Sequence, residues 1–502
     1  MSHKARTLTK GSILRMAEFF SVAVVTFLMT PFIIGSLGDS MYGIWIFVGS
    51  FLGYYGLMDF GLSSAMQRLL SRAVGANDPD EANKVINTAF LVYFVIGLSV
   101  FVISIVVAAV VPGLIKNIGE VGVFRKVVVI LGLSFAIGFP LRVFFGILVS
   151  NLRYDLIVIV ELVKLAARSI LIIVYLKSGH GIVSMAWIML ATEIGGNCAN
   201  ILAVRHLFKN NVFSARLFAP GKVRELFGYS FYTFIAQIAD QLRFNIDNLV
   251  IITFIGLGSV TVYSIAFRLI KYFMQFISAG VGIFMPVFSQ YEAAGDYVSI
   301  REKLIFTTKI SAYLSVLTGG ILILFGKAFI HIWVGAAYLP AYPVLVVLTI
   351  PIVIALMQNP SLQVIYGLSK HRYVAVVSSV EGVVNLVLSV MLVGKMGLIG
   401  VALGTAIPMI IVNVFIYPRY VCRLVGLPVS KYYYHVLAPV LVKGTLIVAV
   451  FGSILKNRMI SGYAEMAVMV LALVVVFGAL CTWLGFDRLE RGHFRKLIFK
   501  YG

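Results

Sequence analysis

Charged side chains stand inside two neighbouring apolar stretches near the middle of the chain. Asp240, Arg243 and Asp247 follow one another at i, i+3 and i+7, and Arg268 and Lys271 repeat the i, i+3 interval in the next stretch. An ionisable group at membrane depth costs at least about 2.5 to 3.5 kcal/mol unless it faces a partner or water. The spacing therefore predicts a polar path through an otherwise apolar protein, with cations that suit an anionic group.

A second charged stripe lies earlier in the chain. Glu161, Lys164 and Arg168 are again at i, i+3 and i+7, and Arg142 stands alone in the apolar stretch before them. Two interpretations stay open. The stripe lines a polar path, or its charges neutralise one another along one helix and stabilise packing.

Carboxylates at membrane depth are candidates for coupling to a proton or sodium gradient. Burial disfavours the charged form of a carboxyl group, so such a group can exchange a proton during a conformational cycle. An alternative for Asp240 is an ion pair with Arg243, and an alternative for Asp247 is to pin a turn. The candidates for ion coupling are Asp240, Glu18, Asp59, Asp247 and Glu161.

Composition identifies the class of protein that must position these groups. Of 502 residues, 61% are hydrophobic and 12% are charged, and the mean hydropathy is +1.01. A soluble domain is about 25% charged. Apolar segments of about 20 residues or more predict an all-α integral membrane protein rather than a barrel. The chain shows no nucleotide-binding glycine loop and no zinc-protease motif, so we expect no cofactor and no enzymatic activity.

The sequence predicts about fourteen membrane-spanning helices. Each is an apolar segment bounded by loop residues or by charges. They lie near residues 11–36, 41–62, 86–112, 124–149, 155–176, 181–204, 226–255, 258–286, 304–326, 341–366, 372–394, 397–418, 432–455 and 463–485.

The distribution of Lys and Arg among the loops predicts the orientation. The loops on the same side as the amino terminus hold a clear excess of both residues, which places both termini in the cytosol. The net charge of +21 is then mostly a topology signal and a contact with anionic lipids, so we expect no nucleic-acid partner.

The chain repeats itself at an offset of about 220 residues. Three short segments match in the same order, and their paired residues are Tyr42 with Tyr263, Arg153 with Arg372, and Gly181 with Gly397. Because each copy contains an even number of spans, both copies have the same topology. The repeat predicts two pseudo-symmetric six-helix bundles, 1–204 and 226–425, around a central cavity. A cytosolic linker at 205–225 joins them, and residues 426–502 add two helices and a basic tail.

Three motifs carry a resemblance to a known family. Their residues are Pro31, Leu37, Gly38, Tyr42, Gly43 and Trp45 in the first, Asp59, Phe60, Gly61, Leu62 and Arg68 in the second, and Asp247, Tyr263, Ser264, Ala266 and Arg268 in the third. Together they resemble the prokaryotic polysaccharide transporters, including the Wzx-type flippases of the multidrug/oligosaccharidyl-lipid/polysaccharide superfamily. The resemblance extends over almost the whole chain.

The resemblance implies a flippase in the bacterial cytoplasmic membrane. It would move undecaprenyl-diphosphate-linked oligosaccharides to the outer leaflet for O-antigen, exopolysaccharide or another surface glycan, with a polymerase and a chain-length regulator as partners. A carrier of this substrate needs cations for the diphosphate and rings on which sugars stack. The candidates for binding are Arg268, Arg243, Lys271, Arg142, Lys164, Arg168 and Tyr263.

Three alternatives stay open beside this interpretation. A lipid II flippase needs the same diphosphate-binding cleft. A multidrug cation antiporter of the same fold should prefer an acidic cavity, whereas the predicted stripe is basic. A membrane-embedded glycan polymerase or ligase should carry a large external loop, and the predicted external loops are short.

Overall fold

The computed structural model of the chain describes residues 3–110, 118–208, 212–281, 288, 291–292, 294–368, 370–455, 460 and 462–484. All regular secondary structure in these ranges is helical. The backbone of Asp240 and Arg243 belongs to a helix, but their side chains lie outside what the structure describes. The predictions made for these two side chains are therefore not tested.

The described chain forms seventeen α-helices. The first eight are α1 (His3–Leu37), α2 (Asp39–Leu57), α3 (Leu62–Gly75), α4 (Pro79–Val110), α5 (Ile118–Ser150), α6 (Tyr154–Lys177), α7 (Ile182–Leu207) and α8 (Pro220–Phe254). The others are α9 (Leu257–Val281), α10 (Tyr297–Val334), α11 (Ala341–Met357), α12 (Asn359–Gly367), α13 (His371–Ile411), α14 (Tyr417–Val425), α15 (Val429–Tyr432), α16 (Ala438–Leu455) and α17 (Tyr463–Leu484). Two π-helical turns, Val412–Ile416 and Tyr433–Leu437, precede α14 and α16.

Eight segments of the described residues are long and apolar enough to cross a membrane, or ten if each of two bent pairs forms one span. One of the eight, Arg372–Val425, has 54 residues, which is about 80 Å of helix against a hydrocarbon core of about 30 Å. It turns back at Gly397, so that Gly404 lies against Ser389. The predicted count of fourteen stays a prediction, because the charged helices α6, α8 and α9 are not among the eight.

The contacts within the chain define two compact units, Met1–Thr261 and Val262–Gly502. Helix α8 is thereby counted with the first unit. The limits of the predicted bundles, 1–204 and 226–425, and of the tail at 426–502 stay predictions.

Small residues bring α4 and α5 close together in the first unit. A Cβ at Gly97 would lie 2.4 Å from the carbonyl oxygen of Ala136, and one at Gly132 would lie 2.1 Å from the hydroxyl of Ser104. Neither position leaves room for a larger side chain without a shift. Membrane helices associate through such close packing, because lipid provides no hydrophobic drive between them.

The segment that follows α7 is attached to α4 by side chains of α4. The amide of Asn83 accepts a hydrogen bond from the backbone of Val212, and Asn87 binds backbone groups of Val212 and Ser214. Lys222, at the start of α8, hydrogen-bonds to Glu225 and also to Glu81 of α4, and these two contacts, the first more strongly, raise the pKa of its ammonium above the ordinary value. The predicted linker at 205–225 is thus tied to the first unit along residues 212–222.

Two pairs of consecutive helices are bent at short breaks. The first break separates α2 from α3 by 44°, and there Phe60 and Gly61 have φ values of 50° and 74°. The second break separates α11 from α12 by 42° at Gln358, two residues before Pro360. Both breaks lie within apolar stretches, and hydropathy does not report the conformation of single residues. The predicted span 341–366 is therefore corrected to a helix pair, whereas the predicted span 41–62 ends at the first break, where α3 begins.

Glycines also set the packing of the second unit, around α10. A Cβ at Gly319 would lie 2.2 Å from Val353 of α11, and one at Gly320 would lie 2.7 Å from Val448 of α16. The two adjacent glycines allow α10 to pack closely against α11 on one side and α16 on the other.

Candidate functional site

A cavity of 480 Å³ lies inside the first unit, between α3, α5, α6 and α7. Helical spacing explains why its walls are polar. On α7, Glu193, Asn197 and Asn200 are at i, i+4 and i+7, and on α6, Glu161 and Lys164 are at i, i+3, so each set shares one face of its helix. The volume falls within the range of small-molecule sites, about 300 to 1,000 Å³.

The longest wall is one face of α5. Ser134, Phe135, Gly138, Arg142 and Phe145 line the cavity there, at intervals of one, three or four residues. With Phe139, which also lines the cavity, the face presents three aromatic rings, one hydroxyl and one guanidinium. Gln67 of α3 adds an amide to the same lining.

Charged side chains of α6 and α7 form one network in the cavity wall. The ammonium of Lys164 lies 2.8 Å from a carboxylate oxygen of Glu161 and 3.1 Å from one of Glu193. The guanidinium of Arg168 lies 3.0 Å from the other Glu193 oxygen and also donates to the hydroxyl of Thr192 at 3.2 Å. Glu193 thus accepts hydrogen bonds from two cations and joins the two helices.

Gly196 allows the stem of Lys164 to lie against α7. A Cβ at this glycine would come 3.1 Å from the Cδ atom of Lys164. A larger residue would press against the lysine stem, so the glycine leaves the space in which this stem lies.

Arg142 is held by the aspartate of the first break. Its guanidinium donates to Asp59 at 2.8 Å and lies 4.2 Å above the centre of the Phe139 ring. The same carboxylate group also accepts hydrogen bonds from the Ser63 hydroxyl at 2.6 Å, the Ser63 backbone at 3.2 Å and the Tyr93 hydroxyl at 3.1 Å. Asp59 therefore connects the turn between α2 and α3 to the cavity.

The structure brings together five of the predicted site residues. Arg142, Lys164 and Glu161 line the cavity. Behind it lie Asp59, which pairs with Arg142, and Arg168, which pairs with Glu193. For Glu161 and Lys164, the interpretation of neighbouring charges that neutralise each other describes the observed geometry. Contact of Arg142, Lys164 and Arg168 with substrate stays a prediction, as does ion coupling by Asp59 and Glu161.

Sequence reasoning missed Glu193, Asn197, Asn200 and Tyr93. The interval from Glu193 to Asn200 was a usable signal, because three polar residues at i, i+4 and i+7 in an apolar span indicate a polar face. Tyr93 gave no such signal, since a single tyrosine in an apolar helix is ordinary.

The other predicted residues lie elsewhere. Glu18 is half-buried in α1, and Asp247 is buried near the end of α8. In α9, Tyr263 is 2% exposed, Arg268 is half-buried and Lys271 is exposed. Because Tyr263 is buried, its ring offers little surface on which a sugar could stack.

Among the side chains that the structure describes, no group of three or more His, Cys, Asp or Glu residues is arranged to hold a metal ion. The carboxylates of the cavity instead contact cationic side chains.

Comparisons with known proteins give a family and a fold. A family model described as "polysaccharide biosynthesis protein" matches residues 41–343, more than half of the chain. The membrane protein EpsK of Bacillus subtilis (strain 168) is 23% identical over 409 residues, covering 79% of this chain and 80% of its own length. The teichuronic acid biosynthesis protein TuaB of the same organism is 28% identical over 264 residues, covering 52% of this chain and 53% of its own.

Two solved transporters have a similar fold. The lipid II flippase MurJ, in an inward closed conformation, matches with a TM-score of 0.71 and 16% identity over 93% of this chain and 98% of its own. An inward-facing multidrug resistance MATE family transporter of the MOP superfamily matches with a TM-score of 0.67 and 16% identity over 80% of this chain and 98% of its own. The predicted all-α membrane class is confirmed, the family model confirms the resemblance to a polysaccharide family, and the two solved transporters show the same fold.

Proposed function

The chain belongs to the polysaccharide biosynthesis protein family, and on that premise we propose that it is a flippase for lipid-linked oligosaccharides. Its substrate would be an undecaprenyl-diphosphate-linked repeat unit, moved across the bacterial cytoplasmic membrane for synthesis of a surface polysaccharide. In this role the chain moves its substrate without making or breaking a covalent bond.

The observation that carries the proposal is a polar cavity inside an apolar helical unit. An oligosaccharide with many hydroxyl groups cannot enter hydrocarbon without losing its hydrogen bonds to water. The cavity supplies amide, hydroxyl and charged groups, bounded by phenylalanine rings. Such a lining suits a sugar better than it suits a purely apolar molecule.

The diphosphate requires cations that are placed separately from this network. We propose Arg268 first and Lys271 and Arg243 second, as their spacing suggests, and we propose Asp240, Asp247 and Glu18 for coupling to H⁺ or Na⁺ during alternating access. Both termini would be cytosolic. A polymerase and a chain-length regulator would act on the translocated product.

The test is a translocation assay with the purified full-length chain. Vesicles would contain the undecaprenyl-linked oligosaccharides that accumulate in the source organism after deletion of this gene, and an impermeant glycosidase would report the fraction exposed outside. We expect the chain to expose glycan that empty vesicles keep protected. Equal protection in both kinds of vesicle, or failure of the deletion strain to accumulate any lipid-linked glycan, would contradict the proposal.

A further inference from the structure

The cavity of the first unit carries charges but little net charge. Its lining contains two cations, Arg142 and Lys164, and two carboxylates, Glu161 and Glu193. Lys164 lies 2.8 Å from Glu161, and Arg142 lies 2.8 Å from Asp59, which is behind the wall. Arg168, also behind the wall, pairs with Glu193. An incoming diphosphate would have to compete with carboxylates already in place, and taking Arg142 from Asp59, whose side chain is 9% exposed, would leave a buried carboxylate without its cation. The charged side chains therefore stabilise the packing of the cavity wall, and neutral groups are left to contact a ligand.

An unpaired acceptor lies in the wall of this cavity. Asn200 is 6% exposed and lines it, and the Oδ1 atom of its amide meets no hydrogen-bond donor among the described residues. A buried acceptor without a donor costs about 1 to 3 kcal/mol, so such a group suggests a donor that arrives with a ligand. Asn197, Gln67 and Ser134 add neutral polar groups to the same lining.

Two aromatic rings complete the site. Phe135 and Phe145 of α5 line the cavity and are half-buried, while one face of the Phe139 ring is already covered by Arg142. Between the two rings lies Gly138, where an added Cβ would meet nothing within 4 Å. The lining thus combines a partly exposed aromatic surface, open space and a hydrogen-bonding edge.

We propose that this cavity binds one uncharged sugar ring of the transported lipid-linked oligosaccharide, and this inference rests on the function proposed above. The C–H face of a sugar ring packs on Phe135 or Phe145, and its hydroxyl groups reach the amides. A hydroxyl donates to Oδ1 of Asn200. The diphosphate binds outside this cavity, so the chain recognises the sugar and the diphosphate of its substrate at separate places.

Blocking the open space tests the assignment. Gly138→Leu would place a side chain in the open space, because an added Cβ there meets nothing within 4 Å, and a leucine is also a better helix former than glycine. Gly122→Leu is the matched control, because Gly122 lies on the same helix, is exposed, and also has nothing within 4 Å of an added Cβ. Two probes would be bound to the purified full-length proteins: the lipid-linked oligosaccharide from the deletion strain, and undecaprenyl diphosphate without sugar.

We expect wild type and Gly122→Leu to bind the glycosylated lipid more tightly than undecaprenyl diphosphate. Gly138→Leu should weaken binding of the glycosylated lipid about tenfold or more and leave binding of undecaprenyl diphosphate unchanged. Equal loss for both probes, or no loss for either, would overturn the inference while leaving the proposed function intact. A wild-type protein that binds neither lipid would contradict the proposed function itself.

A second variant separates recognition from folding. Asn200→Leu removes the unused acceptor, so we expect equal or higher thermal stability without substrate, together with about tenfold weaker binding of the glycosylated lipid. A group that only supports packing would not raise stability while lowering affinity for one probe alone. Unchanged affinity for the glycosylated lipid in this variant would show that Asn200 does not contact the sugar.

Discussion

Each unit of the chain contains a helix break held by a triangle of side chains, and the two triangles differ in charge. At the first break, Ser63 and Tyr93 hydrogen-bond to Asp59 and lie 3.0 Å from each other. At the second, Ser361 and Tyr432 hydrogen-bond to the side-chain oxygen of Gln358, at 3.1 and 2.9 Å, and lie 3.1 Å apart. In both cases a residue at the break accepts from a serine in the following helix and from a fully buried tyrosine of another helix.

The difference is an arginine. The first triangle has an aspartate that also binds Arg142, which lines the polar cavity, whereas the second has a neutral glutamine. A break therefore needs only an acceptor, a serine and a tyrosine to satisfy its polar groups. The ionic part of the first triangle is an addition, and it connects the bend of α2 and α3 to the cavity that we propose binds sugar.

The largest effect should follow loss of the charge at the first break. Asp59→Ala leaves the guanidinium of Arg142 without its carboxylate and removes the acceptor of Ser63 and Tyr93. We expect the free energy of unfolding to fall by about 3 kcal/mol, the lower end for removing one partner of a buried ion pair, since Arg142 keeps 34% of its side chain exposed. Chemical unfolding of the purified protein in detergent would measure it.

An exposed ion pair provides the control for this variant. Arg153 and Asp155 lie 3.0 Å apart with 35% and 38% of their side chains exposed, so Asp155→Ala should cost less than about 1 kcal/mol. Similar losses for the two variants would mean that the position of Asp59 at the break adds nothing to its ion pair.

The neutral triangle should be less sensitive. Gln358→Ala removes the acceptor at the second break but leaves Ser361 and Tyr432 within hydrogen-bond distance of each other. We expect a loss of about 2 kcal/mol, because two buried hydroxyl groups lose one partner, and no change in affinity for the glycosylated lipid. Gln363→Ala, on the same helix and only half-buried, is the control. A loss as large as that of Asp59→Ala would show that charge does not distinguish the two breaks.

Sequence reasoning reached the helices and one side of the cavity. The interval of Glu161, Lys164 and Arg168 placed them on one face, and the structure shows that face as a network. Glu193 was not predicted because its contacts to Lys164 and Arg168 join residues 29 and 25 positions apart, a distance that helical periodicity does not cover. The membrane class was predicted from the share of apolar and charged residues, and this share does not depend on which side chains contact each other in the fold.

The bends at the two breaks were not predicted, for a different physical reason. Asp59, Phe60 and Gly61 were noted as part of a motif, but an apolar segment has the same hydropathy whether it is straight or bent. The turn depends on the positive φ of Phe60 and Gly61, which the hydrogen bonds of Asp59 to α3 and α4 support. Which residue adopts such a conformation is decided by contacts made after the helices pack.

The smallest effect should separate two glycines that the sequence repeat pairs. Gly397 turns α13 back on itself with φ 56° and ψ −133°, a conformation that side chains with a Cβ rarely adopt, whereas Gly181, before α7, has φ −91° and ψ −165° in the extended region. An added Cβ meets nothing within 4 Å at either position, so backbone strain alone distinguishes them. We expect Gly397→Ala to cost about 1 kcal/mol and Gly181→Ala to stay within about 0.5 kcal/mol of wild type, measured by the same unfolding assay. Equal losses of unfolding free energy would mean that the two matched glycines have the same structural role in both units. A difference would show that the repeat preserves the order of the helices while each unit makes its own turns, as it does at the two breaks.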